Sequence, residues 1–143
     1  MTIEETKAWM HSYRFFVRES ERIEEDLEYW RSRAEKMTRE MTSQPSGSGG
    51  GKSMETAIEK IMELEDKLSE QHRLILEQKT AIEAAIDSLS DETCRLLLKL
   101  KYINGNTWGQ VSAKLYLSER HAKRLCRKAL KDINMSLNVT LNE

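Results

Sequence analysis

Proline occurs once in this 143-residue chain, at Pro45, and aromatic residues make up only 6% of it. With so little to break a helix, and with 33% charged residues rich in Glu, Lys and Arg, the composition suits long helices. Cysteine is scarce too. Cys94 and Cys126 lie far apart, match no metal spacing and form no C-x-x-C pair, so both are read as small apolar fillers in a reducing cytosol. No run of 18 apolar residues exists, which excludes a membrane-spanning helix, and the charged N-terminus has no apolar segment of the secretory kind. The three histidines, His11, His72 and His121, fall on different predicted helices. No nucleophile is spaced with a base and no carboxylate cluster has metal-ligand spacing, so the expectation is no catalytic set, no metal, no cofactor and no enzyme. A cytoplasmic location follows from the same absences.

What is there is charge, sorted by segment. The net charge of -1 conceals unlike parts. Residues 1–44 carry eight cations and ten anions, and residues 52–92 carry five and eleven. Residues 93–143 carry ten cations and three anions, a local charge of +7. Such segregation is expected where only the C-terminal part meets a polyanion.

The periodicity predicts an all-α protein. Residues 1–41 read as one long helix opened by a Thr2/Glu5 capping box. Trp9, Phe16, Ile23, Trp30 and Met37 recur every seven residues, with Tyr13, Ser20, Leu27, Ala34 and Met41 as the second series of a coiled-coil seam. Residues 42–53 have the Gly/Ser composition of a flexible linker. Its Gly51-Lys52-Ser53 ending is not a phosphate loop, because Ser46 stands where the first glycine is needed and no strand precedes it. Residues 54–89 form the second coiled-coil helix. Met54, Ile61, Leu68, Ile75, Ile82 and Leu89 make one apolar series, and Ile58, Glu65, His72, Lys79 and Ile86 are taken as its partly polar companion. The two long helices pair as an antiparallel hairpin or as parts of a coiled-coil homodimer.

Residues 90–135 read as a three-helix domain, followed by a frayed tail over 136–143. Ser90 is expected to cap the first of its helices and Asn104-Gly105 to end it. Thr107 with Gln110 makes a capping box for a short helix to about Leu115, and Ser118 caps a longer one to about Ile133. Between Glu119 and Lys131 that last helix holds six cations, Arg120, Lys123, Arg124, Arg127, Lys128 and Lys131, against one anion, Glu119. Trp108, Val111, Leu115, Leu117, Ala122, Leu125, Ala129, Leu130 and Ile133 are spaced to bury one face of both helices. A basic helix held on an apolar stripe after a short turn is shaped to enter the major groove of DNA.

Thr107 to Ile133 resembles the helix-turn-helix of region 4 of bacterial sigma factors and matches its length without a gap. It is also similar to the sigma-like C-terminal domains of phage-encoded transcription regulators of the late-gene activator type. The lead-in L-S-D-E-T-C-R-L-L-L-K-L-K-Y-I-N-G-N-T-W and the run S-E-R-H-A-K-R-L-C-R-K-A-L carry the likeness, which covers about residues 86–135. The resemblance implies sequence-specific binding of double-stranded DNA to regulate transcription, in the host cytoplasm for a phage-encoded protein. It places Glu119, Arg120, Lys123 and Arg124 against bases, and Arg127 and Lys128 at phosphates. Ser118, His121 and Lys131 are expected to join the phosphate contacts. Tyr116 stands where the resemblance has glycine and predicts a remodelled turn. Two other readings stay open: a factor that binds RNA polymerase, and a phage inhibitor or assembly protein whose basic helix binds an acidic partner.

Overall fold

The computed structural model describes residues 1–43 and 50–141. Among them there is no strand. The helices are α1 (Ile3–Ser43), α2 (Gly50–Asp87), α3 (Glu92–Leu98), α4 (Trp108–Leu115) and α5 (Glu119–Leu141), with a π-helical segment, Lys99–Ile103, continuing α3. The architecture is therefore all-α: a long helical hairpin, α1 against α2, followed by shorter helices. Residues 44–49 of the expected linker lie outside the described residues. Its two flanks do not behave as linker, since Thr42 and Ser43 end α1 and Gly50 to Ser53 begin α2.

Two compact units divide the chain, Met1–Phe15 with Ile75–Glu143, and Phe16–Leu74. In the second unit α1 and α2 pack along a seam containing Leu27, which is buried, with Phe16, Ile23, Trp30, Ala34 and Met37 half-buried. The α1 seam thus follows the heptads. The α2 companion series is corrected by one residue in its first three members, while its last, Ile86, is buried as expected. Ala57 is buried and Leu64 and Gln71 are half-buried, whereas Ile58, Glu65 and His72 are exposed. The true spacing from Met54 alternates three and four, so the polar seam members are glutamines and not charges. Gln71 satisfies itself there by donating from Nε2 to the Phe16 carbonyl at 2.9 Å. His72 instead stands at the edge, with Nε2 3.7 Å from the Glu24 carboxylate.

The first unit holds the main core. Met10, Ile82, Ile86, Leu89, Leu97, Leu98, Tyr102, Val111, Ala122, Leu130 and Ile133 form one buried cluster. At this end of α1 the buried position is Met10, and Trp9 is only partly covered. Gln78, in the corrected series, donates to the Ser12 hydroxyl. Thr2 caps α1 as expected, its Oγ1 accepting from the Glu5 N–H at 3.1 Å while Glu5 accepts from the Thr2 N–H at 3.2 Å. The cap of α3 is Asp91, not Ser90: its Oδ1 accepts from the backbone N–H groups of Thr93 at 2.9 Å and Cys94 at 3.3 Å. Those hydrogen bonds, the one from Cys94 first, hold the Asp91 carboxyl below its ordinary value.

The π-helical segment ends on Asn104, whose N–H reaches the Lys99 carbonyl at 2.9 Å. Gly105 follows at φ 73°, and a Cβ placed on it would meet the Arg14 guanidinium at 2.7 Å. Glycine is favoured there by its left-handed backbone, while the Arg14 guanidinium, at the end of a flexible side chain, can move aside. Tyr102 is buried, with its hydroxyl 3.7 Å from the Cys126 sulfur. Burial pushes the Tyr102 hydroxyl and the Cys94 and Cys126 thiols up. Both cysteines are therefore buried, protonated fillers.

The tail expected over 136–143 is helical as far as Leu141, because α5 continues past Ile133. Its extension is held by α1. Asn134 is buried and donates from Nδ2 to the Met1 carbonyl at 2.8 Å and to Thr6 Oγ1 at 3.0 Å. Asn138 donates to the same Met1 carbonyl at 3.1 Å and accepts from the Met1 amino group at 3.1 Å. Among the described residues no helix is long and apolar enough to cross a membrane.

Candidate nucleic-acid interface

The surface of interest begins with two local caps. Thr107 Oγ1 accepts from the Gln110 N–H at 3.2 Å, and Gln110 Oε1 accepts from the Thr107 N–H at 2.9 Å, so α4 starts on a complete capping box. It ends at Tyr116, which takes the left-handed conformation, φ 57° and ψ 39°. The Leu117 N–H then returns to the Ser112 carbonyl at 3.0 Å. The turn is not remodelled: tyrosine adopts the conformation that glycine favours, with its ring 95% exposed. Ser118 starts α5, its Oγ accepting from the His121 N–H at 3.1 Å.

Ala122, Cys126, Ala129, Leu130 and Ile133 bury one side of α5 against α3 and α4. At 100° per residue the opposite side is centred on Arg120, Arg124, Arg127 and Lys131, spaced four, three and four apart. All four are exposed. Among the described residues, none of the six α5 cations has a carboxylate within ion-pair distance. In the hairpin several cations are matched along their own helix, as in Arg22–Glu19 at 3.1 Å, Arg39–Glu35 at 2.6 Å and Arg73–Glu70 at 2.6 Å. An ordinary solvated helix face carries such i,i+3 and i,i+4 pairs, and α5 carries like charges at those spacings.

The other expected site residues lie on the two flanks of that row. On the α4 side, Lys123 Nζ stands 6.0 Å from the centroid of the Trp108 ring, and a Cβ on Gly109 would sit 3.4 Å from Glu119 Oε1. Glu119 and Lys123 thus face α4 more than the centre of the cationic row. On the other flank, Lys128 exerts its charge on the Asp91 carboxyl, which partly compensates it. His121 is half-buried, with Nδ1 2.6 Å from Arg124 Nη2, so it orients that guanidinium. Sequence reasoning missed Lys101. Its Nζ stands 4.7 Å from the Trp108 centroid, making Trp108 a ring shared by two cations. Lys101 lies in the π-helical segment and Trp108 opens α4, so their meeting depends on the turn over 104–107 that joins the two elements.

Fold and surface together define an all-helical protein with a long hairpin and a capped, cationic helix displayed on an apolar base. The chain belongs to the family described as "Protein of unknown function (DUF722)", whose profile matches residues 20–135. That span takes in most of the hairpin as well as α3, α4 and nearly all of the cationic part of α5. No curated protein and no solved structure matches the chain.

Proposed function

We propose that this protein binds double-stranded DNA through α5 and regulates transcription, α5 lying in the major groove. Arg120 and Arg124 are assigned to base edges, with Glu119 and Lys123 beside them. Arg127, Lys131, Ser118, His121 and Lys128 are assigned to phosphates. The observation that carries this reading is the row Arg120–Arg124–Arg127–Lys131, exposed, spaced four, three and four apart on one side of α5, and among the described residues without a carboxylate within ion-pair distance. Like charges at these spacings repel, and a phosphate backbone relieves the repulsion with release of counterions. The sigma-like resemblance of residues 107–133 supplies the link to transcription. One such module buries a small surface. Specific affinity is therefore expected to need a second contact, from a second copy through the long helices or from RNA polymerase.

The experiment is selection of bound duplexes from a random pool with the whole protein, followed by titration of variants. Arg120→Ala and Arg124→Ala should each cost about 1–3 kcal/mol at the selected site and less on random duplex. Arg127→Ala should weaken both alike. Equal losses for all three on both duplexes would remove base readout by α5, and no duplex binding at low salt would remove the function.

A further inference from the structure

A second basic feature adjoins α5, brought there from the other end of the chain. The N-terminal turns of α1 and the α4-facing flank of α5 enclose a groove of about 440 Å³. Tyr102, Trp108, Cys126 and Leu130 form its floor. Four cations line it: Lys7 from α1, and Lys123, Arg127 and Lys131 from α5. Lys101 reaches over Trp108 beside them, its Nζ 4.7 Å from the ring centroid. Glu4 is the single carboxylate among the described lining residues.

The cations of this flank outnumber its carboxylates: Lys7, Lys101, Lys123, Arg127 and Lys131 stand against Glu4 and Glu119. A helix in the major groove has a phosphate backbone on either side, and a wall of unmatched cations suits one of them. Lys7 is held in this wall by more than proximity. The Met1 and Thr6 contacts to Asn134, and the Met1 contact to Asn138, pin this end of α1 onto α5. Its location is therefore set by the same helix that carries the proposed readout.

Resting on the DNA-binding reading above, we infer that Lys7 of α1 is a phosphate-contacting residue and that the groove it shares with Lys123, Arg127 and Lys131 is the track for one DNA backbone. The hairpin's first helix is thereby part of the binding surface. Trp108 holds Lys101 over its ring and so presents it to that strand.

The test is the salt dependence of binding to a duplex by the whole protein, followed by fluorescence anisotropy. Lys7→Gln should lower the slope of log K against log[salt] by about 0.9, one phosphate contact, and Lys7→Arg should restore it. The advantage of the wild type over Lys7→Gln should then shrink by about three-and-a-half-fold between 50 and 200 mM salt. Glu4→Gln should tighten binding at low salt. Lys36→Gln, on the part of α1 outside this unit, should change nothing. A Lys7→Gln slope equal to that of the wild type, in a sample where Arg124→Ala still weakens binding, would overturn the inference and leave α5 readout standing. Loss of slope in neither Lys7→Gln nor Arg127→Ala would overturn both.

Discussion

Tyr116 holds a left-handed conformation with almost its whole side chain in solvent. A non-glycine residue is disfavoured there by about 1–2 kcal/mol, and this ring recovers nothing by packing. Tyr116→Gly is therefore expected to stabilise the protein by about 0.5–1 kcal/mol after the entropy of the more flexible unfolded chain is offset. Urea denaturation of the two proteins would check it, and a loss of stability would mean that the ring makes contacts worth more than the strain. At this scale much was legible from sequence. The Thr2/Glu5 and Thr107/Gln110 boxes and the Ser118 cap are local, so three or four adjacent residues contain all the chemistry. Ser90 and Asp91 could not be told apart the same way, because both are good capping residues and only the backbone of Asp91 shows which one is used. Lys7 was out of reach for a different reason: it belongs to the groove through a contact between chain ends.

At the scale of elements, the longest departure is the extension of α5. Asn134 and Asn138 look like helix-ending polar residues, yet their partners are Met1 and Thr6, separated by 128 residues or more. Polarity that reads as fraying is polarity with a distant partner. Asn134→Ala removes two donors' worth of contact from the Met1 carbonyl and the buried Thr6 hydroxyl, and should cost about 1–2 kcal/mol. A melting curve unchanged by that substitution would show that the extension is held by Leu137 and its apolar contacts alone. The α2 seam illustrates the same limit. Ile58 drew the companion series one residue too far along in its first part, whereas Ile86 at the other end is buried as expected. The observed series runs Ala57, Leu64, Gln71, Gln78, and three of its four members are too small or too polar to announce a seam. Such positions are found by packing, not by hydropathy.

For the molecule as a whole, the sequence showed the class and order of the helices and the position of the cationic one. It did not show that this unit is built on the hairpin. By its apolar positions alone, the stretch over residues 90–135 reads as a three-helix domain. In the structure its core also needs Met10, Ile82 and Ile86, each fully buried. Losing three such partners forfeits roughly 2–5 kcal/mol apiece, more than a core of about fifty residues has in reserve. Residues 89–143 alone should therefore lack a cooperative thermal transition, while the full chain shows one. Circular dichroism melting of both decides it, and a cooperative melt of the fragment would establish α3 to α5 as self-sufficient.

The joining of Met1–Phe15 to residues beyond Ile75 has a consequence in time. A ribosome makes Met1 and Thr6 long before Asn134, and at about 5–20 residues per second the interval is about 6–25 seconds. During it α2 is completed, but the α5 partners of Met1 and Thr6 do not yet exist. The cationic helix comes last, so the newborn chain acquires its charged face only as its earliest residues find their place. Order of synthesis thus delays the proposed encounter with nucleic acid until the two distant segments have closed on each other.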